Sequence, residues 1–371
     1  MQLQPYQRLY GSLYLRLVQL WPKECDSRIV NMVYLLMGIW EARSVQTGRI
    51  AAHVPVRAKK MSLVRRLERF LSNSAVRIRE WYEPVGREII AAASVVGELH
   101  LVLDTTKVSA YHRLLMVGVA YRRRVLPLAW TWVQTPRGHS STIKQVALLN
   151  YVRGLIPAGI QVSLVGDCEF GHTAVLEAMH AWHWDYALRQ SGHLLAQWSG
   201  TTEWVRLDSL ITQRSDWRFI PGVTLTAAHG IDTNLMLCWD KRYTEPWLLA
   251  TNLNHPRLIL RLYHRRAWIE NMFGDLKDNG FDFERSAMRH FLHLSRLTLA
   301  VCLLYVWFLA FGTYLVQVGL RTEVDRADRR DLSLFRIAWD FLHRALLWGL
   351  PFEVLFKPFF GPLPNFHPCG W

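Results

Sequence analysis

The spacing of apolar positions changes along this chain, and each change predicts a different element. "RIVNMVYLLMGIWEARSV" repeats apolar residues at helical spacing. So does "SLVRRLERFLSN", where Leu63, Leu67, Phe70 and Leu71 form one side and Arg65, Arg66 and Arg69 another. Ser62 is the expected N-cap of that helix. "GREIIAAASVVGE" keeps the helical pattern, and then the period shortens. "LHLVLDTTK" predicts a strand closed by an acid. "HRLLMVGVAYRRRVLPLAWTWV" predicts two strands joined by a basic turn, because β-branched and aromatic residues dominate it. "STIKQVALLNYVRGLI" predicts a helix opened by Ser140 or Ser141. "IQVSLVGD" predicts a buried strand, and "CEFGHTAVLEAMHAW" a helix directly after it.

Three strands, a helix, a strand and a helix make a mixed sheet with helices against it. The short early connections imply antiparallel pairs, and the crossover through a helix implies a parallel one. Residues 183–260 then read as short strands between polar turns. The predicted organisation is a basic helical region at 1–84, the first part of an α/β unit at 85–182, a β-rich insertion at 183–260, the second part at 261–320 and a helical tail at 321–371.

Leu297 to Leu320 carries no charge. Its length suits a membrane span, but also a helix buried inside a protein. Gln317, the threonines and tyrosines within it and the absence of a second such stretch favour the buried helix, so no membrane partner is expected.

The formal charge is +14, which suits a polyanion. Residues 1–80 hold 14 Lys or Arg against 5 Asp or Glu, so DNA is the expected partner of the helical region. Cys25, Cys168, Cys238, Cys302 and Cys369 are scattered without a CxxC, which argues against a disulfide framework or zinc site and fits a cytoplasmic setting.

"YHRRAWIENMFGDLKD" mixes a hydroxyl, cations and a carboxylate with apolar residues. On one helix, Tyr263, Arg266, Glu270 and Lys277 fall within an arc roughly 60° wide, at about 100° per residue. Trp268, Ile269, Met272 and Leu276 take the opposite, core-facing side. Two further acids, Asp104 and Asp167, each close an apolar strand. Adjacent strands would bring these two carboxylates together, where they would repel unless a cation neutralised them. With Glu270 they form an oxygen-only donor set suited to Mg²⁺. Two such ions could hold one phosphodiester, while Arg266, Lys277 and Tyr263 grip neighbouring phosphates. Glu169 is a weaker metal candidate, and His172 and Ser163 add little.

These residues resemble those of the DDE transposases of bacterial insertion sequences. The spacing Y-x2-R-x3-E-x6-K of the hairpin-forming group is kept by Tyr263, Arg266, Glu270 and Lys277. Asp104 in "LVLDTT" and Asp167 in "GDCEFG" match the first two acids, with Cys168 where an arginine is common. The resemblance implies an RNase H-like core, with Asp104, Asp167 and Glu270 holding two Mg²⁺ ions, for which Mn²⁺ substitutes. It implies excision of an element from its terminal repeats through hairpin ends, and joining to target DNA by a homodimer in a bacterial cytoplasm. One of Trp198, Trp204, Trp217 and Trp239 would stack a flipped base. The alternatives are a nuclease of the same fold without strand transfer, and a DNA-binding regulator without catalysis.

Overall fold

The computed structural model describes residues 3–109, 111–134 and 139–363. The chain forms two compact units. One comprises residues 1–96 and 273–371, the other residues 97–272.

Five helices open the first unit: α1 (Leu3–Leu20), α2 (Asp26–Ala42), α3 (Thr47–His53), α4 (Lys60–Ser72) and α5 (Ile78–Ser94). Helical spacing sets their inner sides. Leu9, Leu13 and Leu17 of α1 are fully buried, as are Met32, Val33, Leu35 and Ile39 of α2. In α4, Leu63, Leu67, Phe70 and Leu71 are buried, as the periodicity predicts. Ser62 is not its cap. The helix begins two residues earlier, with Lys59 at the N-cap. Lys60 and Met61 are exposed, so the apolar period gives no sign of that first turn.

The second unit is built on one ten-stranded sheet. Strands β1 (Glu98–Lys107), β2 (His112–Tyr121) and β3 (Arg124–Gln134) form an antiparallel meander. Helix α6 (Thr142–Arg153) leads to β4 (Gln161–Gly166), which lies parallel to β1 on the side away from β2. A 3₁₀ turn at Cys168–Phe170 and helix α7 (Thr173–Ala181) lead to β5 (Asp185–Arg189), parallel to β4. The mixed sheet, with its antiparallel start and its parallel crossovers, is as the sequence predicts. The helix expected over "CEFGHTAVLEAMHAW" is split, because Asp167 caps a separate 3₁₀ turn before α7 begins.

The β-rich segment continues the same sheet. Strands β6 (Leu195–Trp198), β7 (Val205–Arg206), β8 (Trp217–Leu225), β9 (Ile231–Cys238) and β10 (Trp247–Thr251) are all antiparallel to their partners. The full order is β3-β2-β1-β4-β5-β10-β9-β8-β6-β7. Helix α6 packs on β2 and β3, α7 on β9, and α8 (Pro256–Tyr263) on β4 and β5.

The stretch from Tyr263 is not the single helix its spacing suggests. α8 ends at Tyr263, His264–Arg266 form a 3₁₀ turn, and α9 spans Ala267–Leu276. Tyr263 is drawn into the core, only 3% exposed, with its ring 4.9 Å from that of Trp247. It therefore does not share a solvated face with Glu270. Ile269, Met272 and Leu276 are buried as predicted, while Trp268 is half-buried.

The first unit is completed by α10 (Phe291–Gln317) and α11 (Leu334–Trp348). α10 is long and apolar enough to cross a membrane, yet 94% of its most apolar window is buried inside the protein. It packs on α2, α4, α5 and α11, which is why it needs no amphipathic stripe. The backbone of α11 crosses it at Gly312: a Cβ there would lie 2.1 Å from the carbonyl oxygen of Leu334. Cys25, Cys168, Cys238 and Cys302 are free thiols, and Cys369 lies outside the described residues.

Candidate active site

The register of β1 and β4 sets the centre of the site. Leu103 pairs with Gly166, so Asp104 and Asp167 are the next residues on two adjacent parallel strands. Such strands run about 4.8 Å apart. β1 continues three residues past Asp104 to Lys107, whereas β4 ends just before Asp167. The two carboxylates use their oxygens alike. Asp104 Oδ1 accepts from the Thr105 amide at 2.7 Å, and Asp167 Oδ1 from the Cys168 amide at 2.8 Å. Each Oδ2 is 3.3 Å from the same donor, Arg266 Nη2. Nη1 of Arg266 donates to Glu270 Oε1. One guanidinium thus gathers all three acids. Its Nε is buried without a hydrogen-bond acceptor.

Burial differs among the three acids. Asp104 is 8% exposed, while the Glu270 side chain is 55% exposed. Burial pushes the Asp104 carboxyl up to about 7, against the pull of Arg266 and the Thr105 amide, with Asp167 and Glu270 adding to the rise. Burial lowers the Arg266 pKa, but Asp104, Asp167 and Glu270 outweigh it and hold the guanidinium above its ordinary value. Tyr263 lies beside this cluster. Burial, then the charge on Asp167, keeps its phenol protonated well above the usual tyrosine range.

Arg189 escaped the sequence reading, and Glu169 stood in it only as a weaker metal candidate. Arg189, the last residue of β5, places Nη1 3.8 Å from Asp167 Oδ1 and pairs with Glu245 at 2.8 Å. Glu169 is a hydrogen-bond hub rather than a member of the acid cluster around Arg266. Its Oε1 accepts from Thr105 Oγ1 at 3.2 Å, the Ser140 amide at 2.7 Å and Ser140 Oγ at 2.5 Å. Gln145 Nε2 donates to Ser140 Oγ at 2.9 Å and to the Glu169 carbonyl at 3.2 Å. Ser141 rather than Ser140 stands at the N-cap of α6. Only the D-x-E spacing in "GDCEFG" marks Glu169 in the sequence, and nothing in it marks Ser140 as its partner.

Lys277 belongs to the first unit, where Nζ pairs with Glu284 Oε1 at 2.6 Å. Arg65 and Arg69 are exposed on α4. Arg66 is half-buried, donates to Asn31 Oδ1 at 2.5 Å and covers the Tyr34 ring at 4.9 Å. His172 is the N-cap residue of α7, and Ser163 Oγ lies 2.7 Å from His100 Nδ1. Of the four tryptophans, Trp217 is 62% exposed, while Trp198, Trp204 and Trp239 are half-buried.

Among the described residues, no three His, Cys, Asp or Glu side chains are arranged to hold a metal ion as they stand. Asp104, Asp167 and Glu270 each meet Arg266 instead. Their chemistry nonetheless fits a hard cation: the donors are carboxylate oxygens, and they already share one positive charge.

A transposase DDE domain matches residues 104–307, beginning at Asp104 itself. The match covers more than half of the chain, and the protein belongs to the DDE transposase family. The cryo-EM structure of the piggyBac transposase synaptic complex with hairpin DNA is similar at a TM-score of 0.46, with 8% sequence identity, covering 92% of this chain and 78% of that one. Among curated proteins, none matches the sequence.

Proposed function

We propose that the protein is a DNA transposase whose Asp104, Asp167 and Glu270 hold two divalent cations, Mg²⁺ or Mn²⁺, at the end of an RNase H-like sheet. The observation that carries this reading is the meeting of those three acids on one guanidinium, inside the family-matched segment. The chemistry that bound cations supply there is activation of an attacking hydroxyl and stabilisation of charge on the leaving oxygen. Arg266 turns from the acids to a DNA phosphate, which also gives its buried Nε an acceptor. Tyr263 stays neutral, so its hydroxyl can donate to phosphate without repelling it. Thr105 and Cys168 fix the two aspartates through their amides, so the carboxylates need little rearrangement. Lys277 and the α4 arginines Arg65, Arg66 and Arg69 serve DNA binding.

In this reading the partners are double-stranded transposon ends and target DNA, engaged by a homodimer in the bacterial cytoplasm. Water nicks one strand, the freed 3′-hydroxyl closes a hairpin on the element's end, and the reopened end joins target DNA. The test is a cleavage and joining assay on labelled end DNA with Mg²⁺ or Mn²⁺. Asp104→Asn, Asp167→Asn and Glu270→Gln should each abolish both steps while DNA binding survives. Normal cutting by all three variants would refute the reading. Cutting without joining to target would reduce the protein to a nuclease.

A further inference from the structure

Arg257, Arg261 and Arg265 recur every fourth residue in "PRLILRLYHRR". Four residues advance an α-helix by about 6 Å, so such spacing lays cations in a row. Arg257 and Arg261 lie on α8, and Arg265 in the 3₁₀ turn that follows. With Leu260, His264 and Trp268 they line a groove of about 490 Å³. Arg257 and Arg261 are exposed, while Arg265 and Trp268 are half-buried.

This row differs from the arginines of the unit that meet carboxylates. Arg189, Arg206, Arg242 and Arg266 all pair with acids. Among the described residues, none of Arg257, Arg261 and Arg265 forms an ion pair. Arg265 feels Glu98, but burial and the neighbouring Arg261 outweigh it and hold the guanidinium below its ordinary value. Arg265 is thus half-buried beside a second cation, and no carboxylate pairs with it directly, so an anion seated in the groove would relieve the repulsion.

The groove is also distinct from the acid cluster. Arg261 and Arg265 act on His100, near the start of β1. Asp104 lies four residues along that strand from His100, about 13 Å at the usual rise. Arg265 and Arg266 are consecutive, yet Arg266 reaches the acids and Arg265 lines the groove.

We propose that this groove is a second DNA-binding site, in which Arg257, Arg261 and Arg265 hold successive phosphates of a strand remote from the cleaved bond. A row of guanidiniums suits phosphodiester oxygens, because each offers a planar fork of donors. Trp268 adds an aromatic surface for a sugar or base. The recognition is of backbone and not of base sequence. The inference rests on the reading of this protein as a DNA transposase, but concerns residues outside the acid cluster.

The test uses the full chain and a fluorescein-labelled DNA duplex without divalent cation. Affinity is followed by anisotropy over a series of KCl concentrations. Each phosphate contact contributes a slope of roughly 0.9 in log affinity against log salt. Arg257→Gln, Arg261→Gln and Arg265→Gln combined should make the slope shallower by roughly 2–3. Should burial of Arg265 make that variant unstable, the exposed pair Arg257→Gln and Arg261→Gln should still lower it by roughly 1–2. Lysine at all three positions should restore most of the slope. Wild-type slopes in the double and triple Gln variants would overturn the proposal, as would Lys variants no steeper than Gln variants. Magnesium-dependent cutting is read separately. A wild-type protein that never cuts, but whose slope falls in the Gln variants, keeps the groove and loses the transposase reading. A protein that cuts, with slopes unchanged by the Gln variants, keeps the transposase reading and loses the groove.

Discussion

Ser140 gives both its amide and its hydroxyl to one oxygen of Glu169, at 2.7 and 2.5 Å. Thr105, the residue after Asp104, donates to that same oxygen. Glu169 therefore ties the Asp104 strand to the segment entering α6. Removing its carboxylate by Glu169→Ala leaves these donors without an acceptor in a nearly closed site. We expect a loss of about 1–3 kcal/mol in unfolding free energy. Glu169→Gln keeps one acceptor oxygen and should lose less. Urea denaturation measures both. An Ala variant with the wild-type midpoint would mean that these contacts carry no net stability.

Arg266 neutralises three acids at once, and its side chain is 22% exposed. Arg266→Ala removes the cation that all three acids share, with Arg189 left beside Asp167 alone. The variant should unfold at a lower temperature in EDTA. If the acids hold divalent cations, Mg²⁺ should raise its melting temperature more than it raises the wild-type value, because the ions then replace the missing charge. Equal shifts in the two proteins would count against a cation site at these acids.

His100 offers a pH test away from the acids. Burial, then Arg265 and Arg261, lower its pKa from 6.5 to about 4, despite a Glu98 oxygen 3.4 Å away. Between those pH values the unfolded chain binds a proton that the folded chain does not. Stability from this residue is therefore complete above about pH 6.5 and lost as the pH falls toward 4. His100→Asn should flatten that part of the curve when denaturant midpoints are compared from about pH 7 to about pH 5. An unchanged slope would show that His100 titrates alike in both states.

Gly312 brings α10 against the backbone at the start of α11. Its missing Cβ is required, since the nearest atom would be a main-chain oxygen that cannot rotate away. Gly312→Ala should force the two helices apart and cost about 1–3 kcal/mol. Thermal unfolding would register this as a lower midpoint. Ala is the better helix former, so any gain in stability would contradict the close crossing.

Much of this arrangement was legible in the residues. "LVLD" and "VSLVGD" are apolar runs that end in acids, and an apolar run on a sheet fixes where its last side chain projects. The parallel crossover gives the direction of the second strand, while its adjacency and register to the first come from the folded sheet. The Tyr263 segment was less legible, because an aromatic residue at helical spacing from charged ones fits either a wet or a dry face. Packing against Trp247 decides it, and that partner is 16 residues earlier in sequence. The Glu169–Ser140 link spans 29 residues and has no periodic signature. Arg189 was hidden in another way: "DYALRQ" reads as the first of several similar short strands, and only the sheet order places it beside β4.

A single peptide bond separates the side chain that gathers the acids from the one that lines the arginine groove. Both residues belong to the same 3₁₀ turn, His264–Arg266. If DNA seats on the arginine groove as proposed, a shift of Arg265 would be felt at Arg266, the next residue, and so by the three acids it holds. Occupancy of the groove and the hold on the carboxylates would then be coupled through one turn of backbone.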